Sequence, residues 1–385
     1  MRTVGFKAAT LALVIGACSA SPGASQEPPA SAGEGQPFTT QVVADFTSPW
    51  AMTFVPGRAN QALVTEKGGK LFLVDVGTGQ RQEVSGVPGN IRVAGQGGLG
   101  DVVAAPDFAR TGNIYLSFAE GEGELSGAAV GIGRLVLDGA APRLENFRVI
   151  WRQQPKVTGG GHYSHRIAVG PDGKLYISSG ERQKFEPAQD ENGNLGRIVR
   201  LNLDGSVPND NPWARRGGVG AQAWTMGNRN VLGFAFAPDG KLWGAEMGPA
   251  GGDEFNQLER GSNYGYPIVS DGDHYDGRVI PDHRTRPEFN APEIVWTPVI
   301  SPSSMIFYTG KDFPEWRGQA IIGGLSSQGL VRVAVDGNGA REVGRVPMGA
   351  RIREVEQGPN GELYVLEDER AQSQGRLLRL VPNGR

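Results

Sequence analysis

From Phe38 onwards, short apolar stretches are separated every few residues by Gly, Pro, Asp and Asn, and no segment sustains a helical period. Arg166 to Val169 and Lys174 to Ile177 each alternate polar with apolar residues. Pro171-Asp-Gly between them is turn chemistry, so the stretch predicts strand, turn, strand. The string then recurs. Pro171-Asp-Gly-Lys-Leu-Tyr176 returns as Pro238-Asp-Gly-Lys-Leu-Trp243 and as Pro359-Asn-Gly-Glu-Leu-Tyr364. Looser copies at 56–63, 106–115 and 313–321 bring the number to six. A strand-like segment precedes each copy and another follows it. Units of this length suit four-stranded blades, so the pattern predicts an all-β, six-bladed β-propeller over 38–385. A pair of β-sandwiches is the competing architecture, but it gives no reason for one Pro-Asp/Asn-Gly-x-Leu-aromatic string to return.

Composition narrows the function classes. With 385 residues and a formal net charge of −3, the chain can bury a large core, and its charge argues against a nucleic-acid partner. The single cysteine, Cys18, leaves the folded part without a disulfide or a thiolate metal site. Arg2 and Lys7 supply a positive end before an apolar stretch, Ala8 to Ala17, that is too short to span a bilayer. Residues 1–18 therefore predict an export signal. Ile15-Gly-Ala-Cys18 resembles the lipobox of bacterial lipoproteins, whose cysteine is acylated; ordinary cleavage within Ser19 to Ser25 is the alternative. Residues 19–37 are rich in Ser, Pro, Ala, Gly, Glu and Gln and predict a flexible tether. The expected location is the periplasm or cell surface, with membrane contact only through the lipid anchor.

Two of the four histidines lie in one glycine-rich stretch, Gly159-Gly-Gly-His162-Tyr-Ser-His165-Arg166. The triglycine predicts a bare platform presenting His162. His162 precedes the first strand of the central hairpin and Glu181 follows the second, so both fall at one end of it. A carboxylate there would raise the basicity of the imidazole. A satisfied loop histidine beside a glycine turn is the bland alternative. In a propeller, other polar loops open on the same face. Gln96, Arg229, Asn230, the Glu246-Met-Gly248-Pro249 segment, Arg351 and Arg353 all lie in such loops.

Several strings together, Gly161-His-Tyr-Ser-His-Arg166, Gly196-Arg-Ile-Val-Arg200, Gly227-Asn-Arg-Asn230, Glu246-Met-Gly-Pro249, Gly261-Ser-Asn-Tyr264 and Arg351-Ile-Arg353, resemble the soluble quinoprotein glucose dehydrogenases and their aldose sugar dehydrogenase relatives. The resemblance spans about Phe38 to Leu380. It implies a six-bladed propeller that oxidises the anomeric carbon of aldoses to lactones, with pyrroloquinoline quinone and calcium as cofactors and an external electron acceptor. By the same resemblance, His162 is the general base and Glu181, in place of the usual aspartate, orients it. Arg229 stabilises charge on the reduced quinone, and Gln96, His162, Asn230, Arg351 and Arg353 contact it. The carbonyls of Gly248 and Pro249 bind the calcium. Ser326 or Ser327 stands where the family carries a lysine, which implies one cation fewer against the quinone. His165 is expected in the pocket wall, and Asp271, Asp273 and Glu288 lie where relatives hold a second calcium.

A binding propeller that uses the same face for a glycan or a protein is the reading from another class. The set His162, Arg229, Asn230, Arg351 and Arg353 favours the enzyme, whereas the absent lysine points the other way. A calcium-dependent lactonase finds no support, because no side-chain ligand cluster spans several blades. Acylation of Cys18 carries a direct test: the mature protein should partition with membranes, and Cys18→Ala should release it or leave it unprocessed. A wholly soluble wild-type protein starting beyond Cys18 would defeat the assignment.

Overall fold

A computed structural model describes residues 36–384 except 338, so Cys18 and the export segment lie outside the described residues. Six antiparallel sheets follow one another along the chain. Blade 1 comprises Pro49–Phe54, Gln61–Glu66, Lys70–Asp75 and Arg81–Glu83. Blade 2 comprises Leu99–Ala104, Asn113–Glu122, Leu125–Val136 and Arg143–Arg152. Blade 3 has three strands, Ser164–Val169, Leu175–Ser179 and Arg197–Leu201, and a bridge from Ala223 to Val199 marks its outer edge. Blade 4 is Val231–Phe236, Leu242–Glu246, Asp253–Gln257 and Ile294–Trp296. Blade 5 is Pro302–Phe307, Ala320–Gly324, Gly329–Asp336 and Gly339–Pro347. Blade 6 takes Ile352–Gln357, Leu363–Glu367 and Arg376–Pro382 from the C-terminal end and its outer strand, Phe38–Asp45, from the other end of the domain. Main-chain hydrogen bonds between the two ends thus close the ring. The expected all-β six-bladed propeller is present, with one short α-helix, Phe108–Thr111, inside a turn. All six recurrent turns join the first strand of a blade to its second.

The packing explains why the second strands do not alternate as simply as their sequence suggested. Leu175–Ser179 is buried throughout, because side chains on its two faces enter two different interfaces. Leu175 and Ile177 pack towards blade 2, while Tyr176 packs towards blade 4. Blade 6 repeats the arrangement, with Leu363 and Val365 in the core shared with blade 5 and Tyr364 and Leu366 in that shared with blade 1. A strand with a neighbour on each face has no solvent side.

A register irregularity occurs at the start of every innermost strand. The innermost strand carries one residue more than its partner between Pro49 and Ala51, between Leu99 and Val102, between Ser164 and Ile167, between Val231 and Gly233, between Pro302 and Ser304, and between Ile352 and Glu354. Such bulges re-aim a side chain without breaking the sheet. The residues freed from the ladder include Trp50, Asp101, His165, Arg166, Leu232, Ser303 and Arg353, and these surround the propeller axis.

Arg166 ties them together. Its guanidinium pairs with Glu354, lies 3.6 Å from Asp101, donates to the Ser303 carbonyl at 2.6 Å and sits 4.0 Å from the Trp50 ring centroid. Blades 1, 2, 3, 5 and 6 therefore meet at one side chain. Both carboxylates are buried, so without the guanidinium they would be stranded in a poorly solvated channel. Arg166→Met should destabilise the domain by about 3–5 kcal/mol, and adding Glu354→Gln should recover part of the loss. Equal unfolding temperatures for the single and double variants would show that charge pairing is not the cause.

Candidate active site

The loop entering blade 3 and the segment leaving its second strand meet at one rim, as the hairpin geometry requires. His162 Nδ1 is hydrogen-bonded to Glu181 Oε1. The other oxygen of Glu181 accepts from the main-chain N–H groups of Lys184, at 2.6 Å, and Phe185, at 2.9 Å, so the carboxylate is held from both sides. The His162 N–H donates to Gln96 Oε1 at 2.7 Å. The expected bare platform is absent: His162 is only 5% exposed. Arg182, fully buried against the Tyr163 ring, donates to the carbonyls of Gly159 and Gly161 at 2.7 Å each and pulls the triglycine inward. His162, Ser164, His165, Arg182, Gln183 and Phe185 all adopt positive φ. Non-glycine residues in this region carry strain, which persists where surrounding bonds over-determine the chain and often accompanies a functional site.

Burial dominates the titration of the histidine. Desolvation pulls the His162 pKa below its ordinary 6.5; Glu181 pushes it upward but does not overcome the loss of solvent and the nearby Arg229. The sequence reading took only the carboxylate into account and so expected a net rise. For Glu181, burial raises the pKa, but the bond from His162 and the Phe185 N–H outweigh it and leave the group below the usual carboxylate range. The stable form is a neutral imidazole beside a carboxylate. Since Nδ1 faces Glu181, the proton resides there, and Nε2 retains its lone pair.

Two cavities border this loop, and the second is lined by the pair itself. One, of about 270 Å³, is lined by Gln96, Asn230, Arg351 and Arg353 together with Lys67, Trp50 and His165. The other, of about 200 Å³, is lined by His162, Glu181, Arg229 and Pro249 and walled by Phe185, Tyr266, His274 and Tyr275. Arg229 donates to the carbonyls of Met247 and Gly248, both at 2.7 Å, and its Nε is buried without a partner among the described residues. Asn230 Oδ1 accepts from Ser164, which leaves its amide N–H₂ only the Met247 sulfur at 3.8 Å. Arg351 and Arg353 share Asp368 at 3.1 and 3.2 Å. Buried donors with few acceptors, next to crowded guanidiniums, suit an anionic ligand with several acceptor oxygens.

Residues 46–379 match the family described as Glucose / Sorbosone dehydrogenase. This chain belongs to that family. It is 39% identical over 340 residues to the aldose sugar dehydrogenase YliI of Escherichia coli K12, covering 87% of this chain and 90% of that one. It is 32% identical over 255 residues to quinoprotein glucose dehydrogenase B of Acinetobacter calcoaceticus, covering 60% of this chain and 52% of that one. The crystal structure of the soluble aldose sugar dehydrogenase from Escherichia coli in the apo-form superposes with a TM-score of 0.84 at 38% identity, covering 90% and 99% of the two chains. The oxidoreductase class and family expected from the sequence therefore stand.

The structure brings His162, Glu181, Gln96, Arg229, Asn230, Arg351 and Arg353 to one face, but Gly248 and Pro249 differ from each other. Pro249 lines the aromatic cavity, whereas the Gly248 carbonyl already accepts from Arg229. Ser326 is exposed and bonded to Val299 O and Ser301 Oγ, and Ser327 Oγ is buried without a partner among the described residues. His165 does line the wall of the first cavity: it stacks on Trp50 at 4.9 Å, bonds Ser117 at 2.7 Å, and burial lowers its pKa to about 3. Asp271 groups with Glu254 and His283, not with Asp273 or the exposed Glu288; the three ligand atoms lie within 4.8 Å of one another. A buried Glu or His distant in sequence could not be paired with Asp271 by spacing alone.

Two supporting carboxylates had no role assigned from the sequence, Glu246 being named only within its motif. Glu246 accepts from the N–H groups of Arg229 and Asn230 at 2.6 and 3.3 Å, and Asp253 accepts from Gly248 and Ser301 at 2.8 and 2.6 Å. Both fix loops that carry site residues. Their signal was proximity to the motifs, but a buried acid and a solvated one look alike in sequence. Gly180 gives a direct test of the packing, since an added methyl would overlap the His162 carbonyl oxygen, a backbone atom that cannot swing aside. Gly180→Ala should cost about 1–3 kcal/mol of stability and lower activity as well. Unchanged thermal unfolding would contradict that packing.

Proposed function

We propose that the chain oxidises aldose sugars at the anomeric carbon to lactones, with pyrroloquinoline quinone as the hydride acceptor, calcium beside it and an external electron acceptor completing turnover. The reading is carried by one observation: the His162–Glu181 pair lines an aromatic-walled cavity, and Gln96, which accepts from the His162 N–H, lines a cation-rich one. The quinoprotein name of the Acinetobacter relative and the donor-rich first cavity support the quinone. In this reading Arg351 and Arg353 would hold the quinone's carboxylates, and Arg229 and Asn230 would supply donors to its oxygens. When bound, the quinone supplies the hydride acceptor.

The chain supplies the rest. The aromatic walls take the apolar face of the sugar ring and exclude water around C1. His162 Nε2 takes the proton of the C1 hydroxyl, and Glu181 holds the other nitrogen and stabilises the imidazolium that forms. The sugar thus loses one hydride and one proton, which balances oxidation to the lactone. Calcium is assigned to the carbonyls of Gly248 and Pro249, neutral main-chain ligands that would leave charge balance to the quinone. A cation there would compete with Arg229 for the Gly248 oxygen. Export and tethering through Cys18 complete the proposal and agree with an extracytoplasmic sugar substrate.

Reconstitution of purified protein with the quinone, with and without calcium, tests the reading through aldose-dependent bleaching of a dye acceptor. His162→Ala should lower kcat by about two to four orders of magnitude while retaining quinone binding. A base must be unprotonated, so kcat/KM should be flat at neutral pH and fall only below 6.5, because the His162 pKa is lowered. Glu181→Gln removes the influence that raises that pKa, so the acid limb should move to still lower pH. A limb that stays in place, or a His162→Ala enzyme with full turnover, would remove the pair from the mechanism.

A further inference from the structure

The turn between the second and third strands of blade 1, Glu66-Lys67-Gly-Gly-Lys70, reaches the wall of the cation-lined cavity. Its backbone is fixed there: Lys67 N donates to Ser48 O at 2.9 Å, and Leu99 N donates to Lys67 O at 3.1 Å. Gly98 lies directly against the Lys67 main chain and stem. The ammonium donates to the Gly95 carbonyl at 2.5 Å, one residue from Gln96, and an ammonium carries two further donors.

Charge in the cavity wall is unbalanced. Lys67, Arg351, Arg353 and Arg370 stand against Asp368 and Glu369. Asp368 Oδ2 is already shared by Arg351 and Arg353, and Glu369 accepts from Ser48. Lys67 forms no ion pair among the described residues. Burial lowers its pKa, and the guanidiniums of Arg370 and Arg353 add to the effect. Four cations against two carboxylates leave the wall net positive and suited to an anion, and the segment after Gly324 lines it with the uncharged Leu325.

We propose that Lys67 is a binding residue for a carboxylate of the quinone, acting with Arg353 and supplying from blade 1 the cation that blade 5 lacks at Ser326. This rests on the quinone reading of the site. Both positions open on the same rim, so a cation can be moved between blades without moving the anion it serves.

Titration calorimetry of the calcium-loaded full chain with pyrroloquinoline quinone tests this without reference to turnover. Lys67→Met should weaken binding by about ten- to a hundredfold, the factor expected for one lost charge-assisted hydrogen bond, and Lys67→Arg should restore most of it. Lys67→Gln, which keeps a donor for Gly95, is the substitute if the methionine variant does not fold. Arg353→Met is the reference, and it should also weaken binding. Wild-type affinity in Lys67→Met and Lys67→Gln, together with a loss in Arg353→Met, would overturn the role of Lys67 and leave the quinone site standing. Failure of the wild-type chain to bind the quinone would instead overturn the site itself.

Discussion

The extra residue at the mouth of each innermost strand is the constraint on which the rest of this structure depends. Without it, side chains at those positions would follow the pleat and enter the interfaces between blades. With it, Trp50, Asp101, Arg166, Ser303 and Arg353 turn towards the axis. Arg166 then neutralises part of a buried acidic ring and joins five blades through charge, main-chain carbonyl and ring face. Trp50 contacts both that guanidinium and the His165 ring, so the channel plug and the wall of the active-site cavity share one ring. Stability and site geometry are coupled at this point.

Around His162 the opposing effects can be ranked. Burial lowers its pKa, the Glu181 carboxylate raises it, and burial has the larger influence. The result is a base that is neutral when needed, while the carboxylate remains ionised because His162 and the Phe185 N–H bond it. The backbone here is strained at six residues between 162 and 185. Arg182, Gln96 and Glu181 hold it in place with hydrogen bonds that reach the carbonyls and N–H groups of the strained loop. Such strain is affordable because the blades beneath are buried on both faces and do not yield.

Much of this was legible in the sequence, and for identifiable reasons. The turn string Pro-Asp/Asn-Gly-x-Leu-aromatic reports a local requirement, a tight reversal into a buried strand, so its recurrence gave the number of blades. His162 and Glu181 flank one hairpin, and hairpin geometry alone places them together. Arg351 and Arg353 share a strand entrance, and Arg229 and Asn230 are neighbours in the chain. Each of these pairings is short in sequence, so local rules suffice.

Pairings between distant segments were not legible, because nothing in spacing records them. Closure of blade 6 by Phe38–Asp45, the contact of Arg166 with Glu354, the anchoring of Gly248 and Ser301 by Asp253, and the grouping of Asp271 with Glu254 and His283 all join distant segments. Burial was equally hidden: the triglycine suggested exposure, whereas Arg182 drew the loop in and desolvation reversed the expected shift at His162. The sequence by itself determined the repeat, the turns and the local hairpin that pairs base with carboxylate, since those follow from residues a few positions apart. Which side chains face the axis, how dry each becomes and which charges meet were decided only when six blades closed, because desolvation and long-range charge depend on everything packed around a residue.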